Sequence, residues 1–133
     1  MQDSAKRILI VDDDQEIAEE LGQILIEEGY NITYASDGLK AREFLGKNSY
    51  DLVLLDIKMP GLNGFEVLKE IRGKDIHTKV IILSGSLMID KYLNSPAGAL
   101  EKGEGKALGL ADRLLAKPVN PDLLISKIKE LIP

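Results

Sequence analysis

The chain has no cysteine, no tryptophan, two phenylalanines and a single histidine. Without cysteine it has no disulfide, no thiol nucleophile and no thiolate metal site. His77, the one histidine, falls in a connection that leads into a strand. That is the wrong end of the strand for the chemistry described below, so neither a catalytic nor a phosphohistidine role is expected of it. No apolar run approaches the roughly 20 residues needed to cross a bilayer. The N-terminal Met1–Arg7 has no apolar segment or cleavage site behind it, so a cytoplasmic protein with no membrane association is expected. A positive excess is missing too. Lys and Arg number 17 against 22 Asp and Glu, a net charge of −5, which argues against direct binding to nucleic acid. The remainder is ordinary for a globular chain: 133 residues suffice for one core, and a single domain over 1–133 is expected.

The stretch that organises this chain is Leu52-Val53-Leu54-Leu55-Asp56. Four successive apolar residues, followed by Pro60, Gly61, Asn63 and Gly64, read as a short strand buried on both faces and then a loop. Arg7–Val11 is a similar run and ends on Asp12, Asp13 and Asp14. From Gln15 the period becomes helical, with Ile17, Leu21, Ile24 and Leu25 on one face, Asp14 as N-cap and Gly29 closing the helix. Asn31–Ala35 is a second strand. The next helix carries Leu39, Ala41, Phe44 and Leu45. A third helix runs from about Gly64 to Gly73, with Phe65, Leu68 and Ile71 as its apolar face. Lys79–Ser84 is the fourth strand. A long connection over about 85–110 follows, with a helix predicted within 100–108 despite Gly103 and Gly105. Arg113–Ala116 is the fifth strand, ended by Lys117-Pro118, and Pro121 opens a last helix with Leu123, Leu124, Ile128 and Leu131. Strands alternating with helices predict an α/β fold, a parallel sheet with helices on both faces.

In such a sheet the carboxyl ends of all strands share one edge. Asp12 and Asp13, Asp56, Ser84 and Lys117 therefore collect there. Carboxylates held close together repel, and a hard cation with oxygen ligands, Mg²⁺, relieves that repulsion. The Lys117 ammonium and the Ser84 hydroxyl suit phosphoryl oxygens. The chemistry that fits the set is in-line phosphoryl transfer. Each residue alone has a plainer reading, as a helix cap, a turn residue or a solvated loop lysine. Their joint occurrence, in this chain order, carries the inference.

The segments Ile8–Asp14, Asp56 with Met59-Pro60 and Gly64, Ser84-Gly85, and Ala111-Asp112 through Lys117-Pro118 together resemble the receiver domains of two-component response regulators. The resemblance covers essentially the whole chain and is similar in kind to stand-alone, chemotaxis-regulator-like receivers. It implies a flavodoxin-like (βα)5 doubly wound sheet of five parallel strands in the order 2-1-3-4-5. It implies that Asp56 accepts a phosphoryl group from the phosphohistidine of a sensor histidine kinase or phosphotransfer protein. Asp13, Asp56 and the backbone carbonyl of Lys58 would hold Mg²⁺, with Asp12 reaching it through water. Ser84 and Lys117 would contact the phosphoryl oxygens, and Gly85 would leave the acyl phosphate accessible. The expected output is altered affinity for a downstream protein at the face formed by the fourth helix, fifth strand and last helix. Such a protein is a switch and not a turnover enzyme. The chain is read as an independent protein, with the receiver of a longer regulator bearing a DNA-binding or enzymatic output as the alternative.

Two departures from that family pattern stand out. Leu114 occupies a position that often holds Tyr or Phe, so an aromatic rotamer switch is in doubt, and a docking module that is never phosphorylated remains a rival. The connection over 85–110 is also longer than the family needs. Two other rivals fare worse. A phosphohydrolase with an aspartyl-phosphate intermediate would place a second carboxylate where Lys58 stands. A flavodoxin-like electron carrier would not place three aspartates where a flavin phosphate must sit.

Overall fold

The computed structural model describes residues 5–56, 64–74, 77–85 and 110–133. They form β1 (Arg7–Val11), α1 (Gln15–Glu27), β2 (Asn31–Ala35), α2 (Gly38–Lys47), β3 (Leu52–Asp56), α3 (Gly64–Lys74), β4 (Lys79–Gly85), β5 (Arg113–Lys117) and α4 (Pro121–Leu131). All five strands are parallel, in the order β2-β1-β3-β4-β5, which is the doubly wound order expected. The helix expected within 100–108, the apolar residues from Leu87 to Leu93, the loop residues Lys58 to Asn63 and the Phe65 side chain lie outside the described residues.

The apolar runs become the centre of the molecule because successive strand residues alternate between the two faces. On one face Leu9, Val11, Val53, Leu55, Val80 and Ile82 pack against Ala41 of α2 and Val67, Leu68 and Ile71 of α3. On the other, Ile8, Ile10, Leu52, Leu54, Ile81 and Leu83 pack against Leu21 and Leu25 of α1 and Leu124 and Ile128 of α4. Burying each such side chain contributes about 1.5–3 kcal/mol, so both helix layers are needed to shield a sheet with this little polar surface.

Three helix starts are capped by side chains. Asp14 accepts from the Ile17 N–H, Asp37 from the Lys40 N–H and Asn120 from the Leu123 N–H. Gly29, at φ +97°, turns the chain out of α1 in a conformation that would strain any residue with a Cβ.

The helix faces depart from the expectation in a consistent way. Leu39 and Leu123 are exposed, at 60% and 45%, because each sits in the first turn of its helix, off the stripe set by Ala41 in α2 and by Leu124 and Ile128 in α4. In α1 the small residues Ala18 and Gly22 complete the buried stripe where Ile24 was expected. Arg72, set among polar neighbours on α3, is the larger departure from what the helical pattern suggests. Its side chain is only 17% exposed and pairs with Asp112 at 2.7 Å, and it also donates to the carbonyls of Thr78 and Leu110. Asp112 accepts in turn from the Val80 N–H at 2.8 Å. This clamp ties α3 to the amino-terminal ends of β4 and β5.

Hydrogen bonds to charged, half-buried groups are worth more than exposed ion pairs. Asp112→Ala should therefore cost about 2–3 kcal/mol in urea denaturation. Lys69→Ala, which breaks only an exposed pair with Glu66, should cost at most about 0.5 kcal/mol. Equal, small losses at both positions would show that the clamp is no better than a surface pair.

Candidate functional site

The site follows from strand parity. Ile8 and Ile10, Leu52 and Leu54, and Leu115 all face the α1–α4 layer. Two positions further along each strand are Asp12, Asp56 and Lys117, so all three continue that face as the sheet runs out. The register pairing Val11 with Leu55 then sets Asp12 beside Asp56. Two sheet positions away, Gly85 is the register partner of Lys117, and Lys117 reaches back over the edge. Its Nζ donates to Asp12 Oδ2 at 2.9 Å and lies 3.3 Å from Asp56 Oδ2.

Asp12 and Asp56 are buried, at 3% and 7% exposure, while Asp13 is exposed. Oxygens of all three carboxylates lie within 4.8 Å of one another. Burial works against the Lys117 ammonium. Its hydrogen bond to Asp12, the charges of Asp12 and Asp56 and the bond to Asp56 outweigh that, holding the Lys117 pKa above its ordinary 10.5. Asp12 is itself steered, since its Oδ1 accepts from the Asp14 N–H at 2.9 Å. That contact was not read from the sequence, where Asp14 served only as a helix cap. Aspartate's habit of accepting from a backbone N–H two residues on was the available signal.

Ser84 is buried on β4, one step beyond Leu83, the register partner of Asp56. Its parity is that of the opposite face. Asp12, Asp13, Asp56 and Lys117 are thus brought into one cluster, and Ser84 onto the same sheet edge. Lys58 is outside the described residues. Among the described residues, a Cβ added at Gly85 meets nothing within 4 Å. The Lys117–Pro118 peptide bond is cis. His77 is exposed and precedes β4 at the opposite edge of the sheet, as expected.

Tested on this donor set, a hard divalent cation fits. The donors are all oxygens, converge from two strand ends and include one carboxylate open to solvent.

The family model described as the response regulator receiver domain matches residues 8–129. The transcriptional regulatory protein CpxR homolog of Haemophilus influenzae is 38% identical over 126 residues, 95% of this chain and 50% of that protein. The cell cycle transcriptional regulator CtrA of Caulobacter vibrioides is 34% identical over 127 residues, again 95% of this chain and 50% of that protein. The chain thus spans about half the length of the curated relatives it matches. Among solved structures, the response regulator protein TrrA of Thermotoga maritima, in complex with Mg(2+)-BeF, superposes with a TM-score of 0.76 at 38% identity. The match covers 96% of this chain and 99% of that one. A CheY-like receiver domain protein from Methanospirillum hungatei gives 0.78 at 34% identity, over 96% and 93% of the two chains.

A pKa that is higher in the folded chain than in the unfolded one stabilises the fold fully below about pH 10.5 and ceases to do so as pH rises through the folded value. Lys117→Met should lower stability at neutral pH by about 1–3 kcal/mol, since two buried carboxylates lose their counter-charge. The gap to wild type should narrow in urea titrations carried above about pH 10.5, as pH rises through the folded-state value. A gap that stayed constant would mean that the charge on Lys117 does nothing for the fold.

Proposed function

The chain belongs to the response regulator receiver domain family of two-component signalling, and from that premise we propose that Asp56 is its phosphoryl acceptor. The observation that carries the reading is the Lys117 ammonium standing between Asp12 and Asp56, 3.3 Å from the carboxylate that would be modified. In this reading an Asp56 oxygen attacks the phosphorus of a phosphohistidine on a sensor histidine kinase or phosphotransfer protein. The P–N bond breaks, an acyl phosphate forms, and the imidazole leaves with the electron pair and takes up a proton. Lys117 offsets charge on the transferring oxygens. Ser84 is one sheet position from Asp56 and is drawn to the new phosphoryl group.

Mg²⁺ held by Asp12, Asp13, Asp56 and the Lys58 carbonyl would supply the remaining positive charge. No second carboxylate stands two residues after Asp56, so the acyl phosphate is a stored signal and not a step in turnover. The domain, taken as the single unit 1–133, would act in the cytoplasm. It would change its affinity for a protein partner through the surface around β5, α4 and the predicted helix within 100–108. Among the described residues no helix is long and apolar enough to cross a membrane. The half-length match to transcriptional regulators supports a second reading of the output, in which this receiver governs a DNA-binding part of a longer chain.

Intact-mass spectrometry after incubation with acetyl phosphate tests the chemistry. Wild type should gain one phosphoryl group only when Mg²⁺ is present, and Asp56→Asn should gain none. Lys117→Met should react roughly 100-fold more slowly, whereas Ser84→Ala should take up the group without the accompanying change at the end of β4. No adduct on wild type after rapid quenching would favour the docking module.

A further inference from the structure

The edge of the sheet opposite the aspartates has a distinct character. In the described residues most lysines and arginines are ion-paired, from Lys40 with Glu43 through Lys129 with Glu28. The four with no ion pair there are Lys6, Arg7, Lys74 and Lys79. All four stand at the amino-terminal edge of the sheet, where β1 and β4 begin and α3 ends. In a chain of net charge −5, unpaired cations would be expected to scatter over the surface.

Three of them also line one cavity. A concavity of about 470 Å³ opens at this edge, lined by Lys6, Arg7, Lys79, His77, Asp51 and Thr78 among others, with Leu131 and Ile132 as an apolar wall. Lys74 lines the adjoining cleft between α2 and α3, which shares Ser49, Tyr50 and Thr78 with the first. Two of the lining groups are held in place. The Arg7 guanidinium lies 5.1 Å from the centre of the Tyr50 ring, and Asp51, the acidic side chain lining the cavity, accepts from the Arg7 N–H at 2.7 Å. Strands of five residues put about 16 Å between this edge and the acidic one. The Debye length at physiological salt is about 8 Å, so the two edges act as separate fields.

We propose that this cavity binds a small polyanion of the phosphate and phosphoester class. Its volume is in the range of small-ligand sites, roughly 300–1,000 Å³. Lys6, just before β1, and Lys79, at the start of β4, supply point charges, and the arginine fork suits a tetrahedral oxyanion. The net acidity of the chain disfavours an extended nucleic acid or an anionic membrane as the occupant. The site is independent of Asp56, so its existence does not depend on the phosphoryl-acceptor reading.

Pyrophosphate in buffer with EDTA, which keeps divalent cations off the aspartates, is the probe. At about ten times its Kd it should raise the melting temperature by about 3–5 °C. Amide shifts in ¹H–¹⁵N spectra should centre on Lys6, Arg7, Asp51, His77 and Lys79. Lys6→Gln/Lys79→Gln should abolish both effects, while Lys40→Gln/Lys69→Gln, the same charge change on two exposed, paired lysines, should preserve them. Asp56→Asn should bind as wild type does. Equal responses in the two double variants would reduce the effect to general screening, and shifts centred on Asp12, Asp56 and Lys117 would place the anion at the other edge. Either result overturns the proposal.

Discussion

Two aspartates that follow neighbouring parallel strands in register cannot avoid each other. Val11 pairs with Leu55, the strands leave the core side by side, and the next residue on each is a carboxylate with almost no exposure to water. Like charges so placed are costly. The arrangement stands because β5 delivers Lys117 to both oxygens and because the Asp14 N–H fixes the other oxygen of Asp12. Much of the topology serves that end. The strand order puts β3 at the centre with β1 on one side, and β5 lies within reach of a lysine side chain on the other. A sheet with β5 elsewhere would leave the acidic pair without its counter-charge.

The same constraint explains what could be read in advance. β1, β3 and β4 are apolar on both faces, so their sequences are continuous runs that stop abruptly at the water-facing edge. Asp12, Asp56 and Ser84 are conspicuous because each sits where a run stops. Lys117 is legible for the same reason, helped by the proline after it. Helix faces were less legible, since Leu39 and Leu123 are apolar residues in first turns and nothing in the periodicity says which first-turn leucine turns inward. Arg72 could not be read at all. Its neighbours in α3 look like a polar face, and its partner Asp112 is distant in sequence, brought close only when β4 and β5 pair. Long-range pairs of that kind are invisible to periodicity, and Asp51, which accepts from the Arg7 N–H, belongs with them.

The two edges of the sheet differ in how their charges are paired. The carboxyl-terminal edge gathers Asp12, Asp13, Asp14 and Asp56, with Lys117 as the cation held among them. The amino-terminal edge gathers the cations that have no ion pair among the described residues. Charge sorting of this sort has a simple consequence for a domain that would add a phosphoryl group at one edge. The added charge lands where carboxylates already crowd, and it is accommodated only if positive charge can be concentrated there. The basic residues of the far edge are too distant to do so through screened solvent, so their placement calls for a different explanation from that of Lys117.

Leu114 bears on how a change at Asp56 would travel. The side chain is half-buried and packs against the cluster on the α2–α3 face, and it has neither a hydroxyl to bond nor a ring to reorient. Within the proposed chemistry, then, the link to β5 is the backbone ladder itself. Ser84 is the register partner of Ala116, and Gly85 of Lys117. A pull on the Ser84 hydroxyl and a pull on the Lys117 ammonium therefore act on adjacent rungs of one parallel ladder, which cannot shift independently without breaking hydrogen bonds worth about 1 kcal/mol each. An aromatic at position 114 would add a visible reporter to that movement. The mechanical coupling between β4 and β5 exists without it.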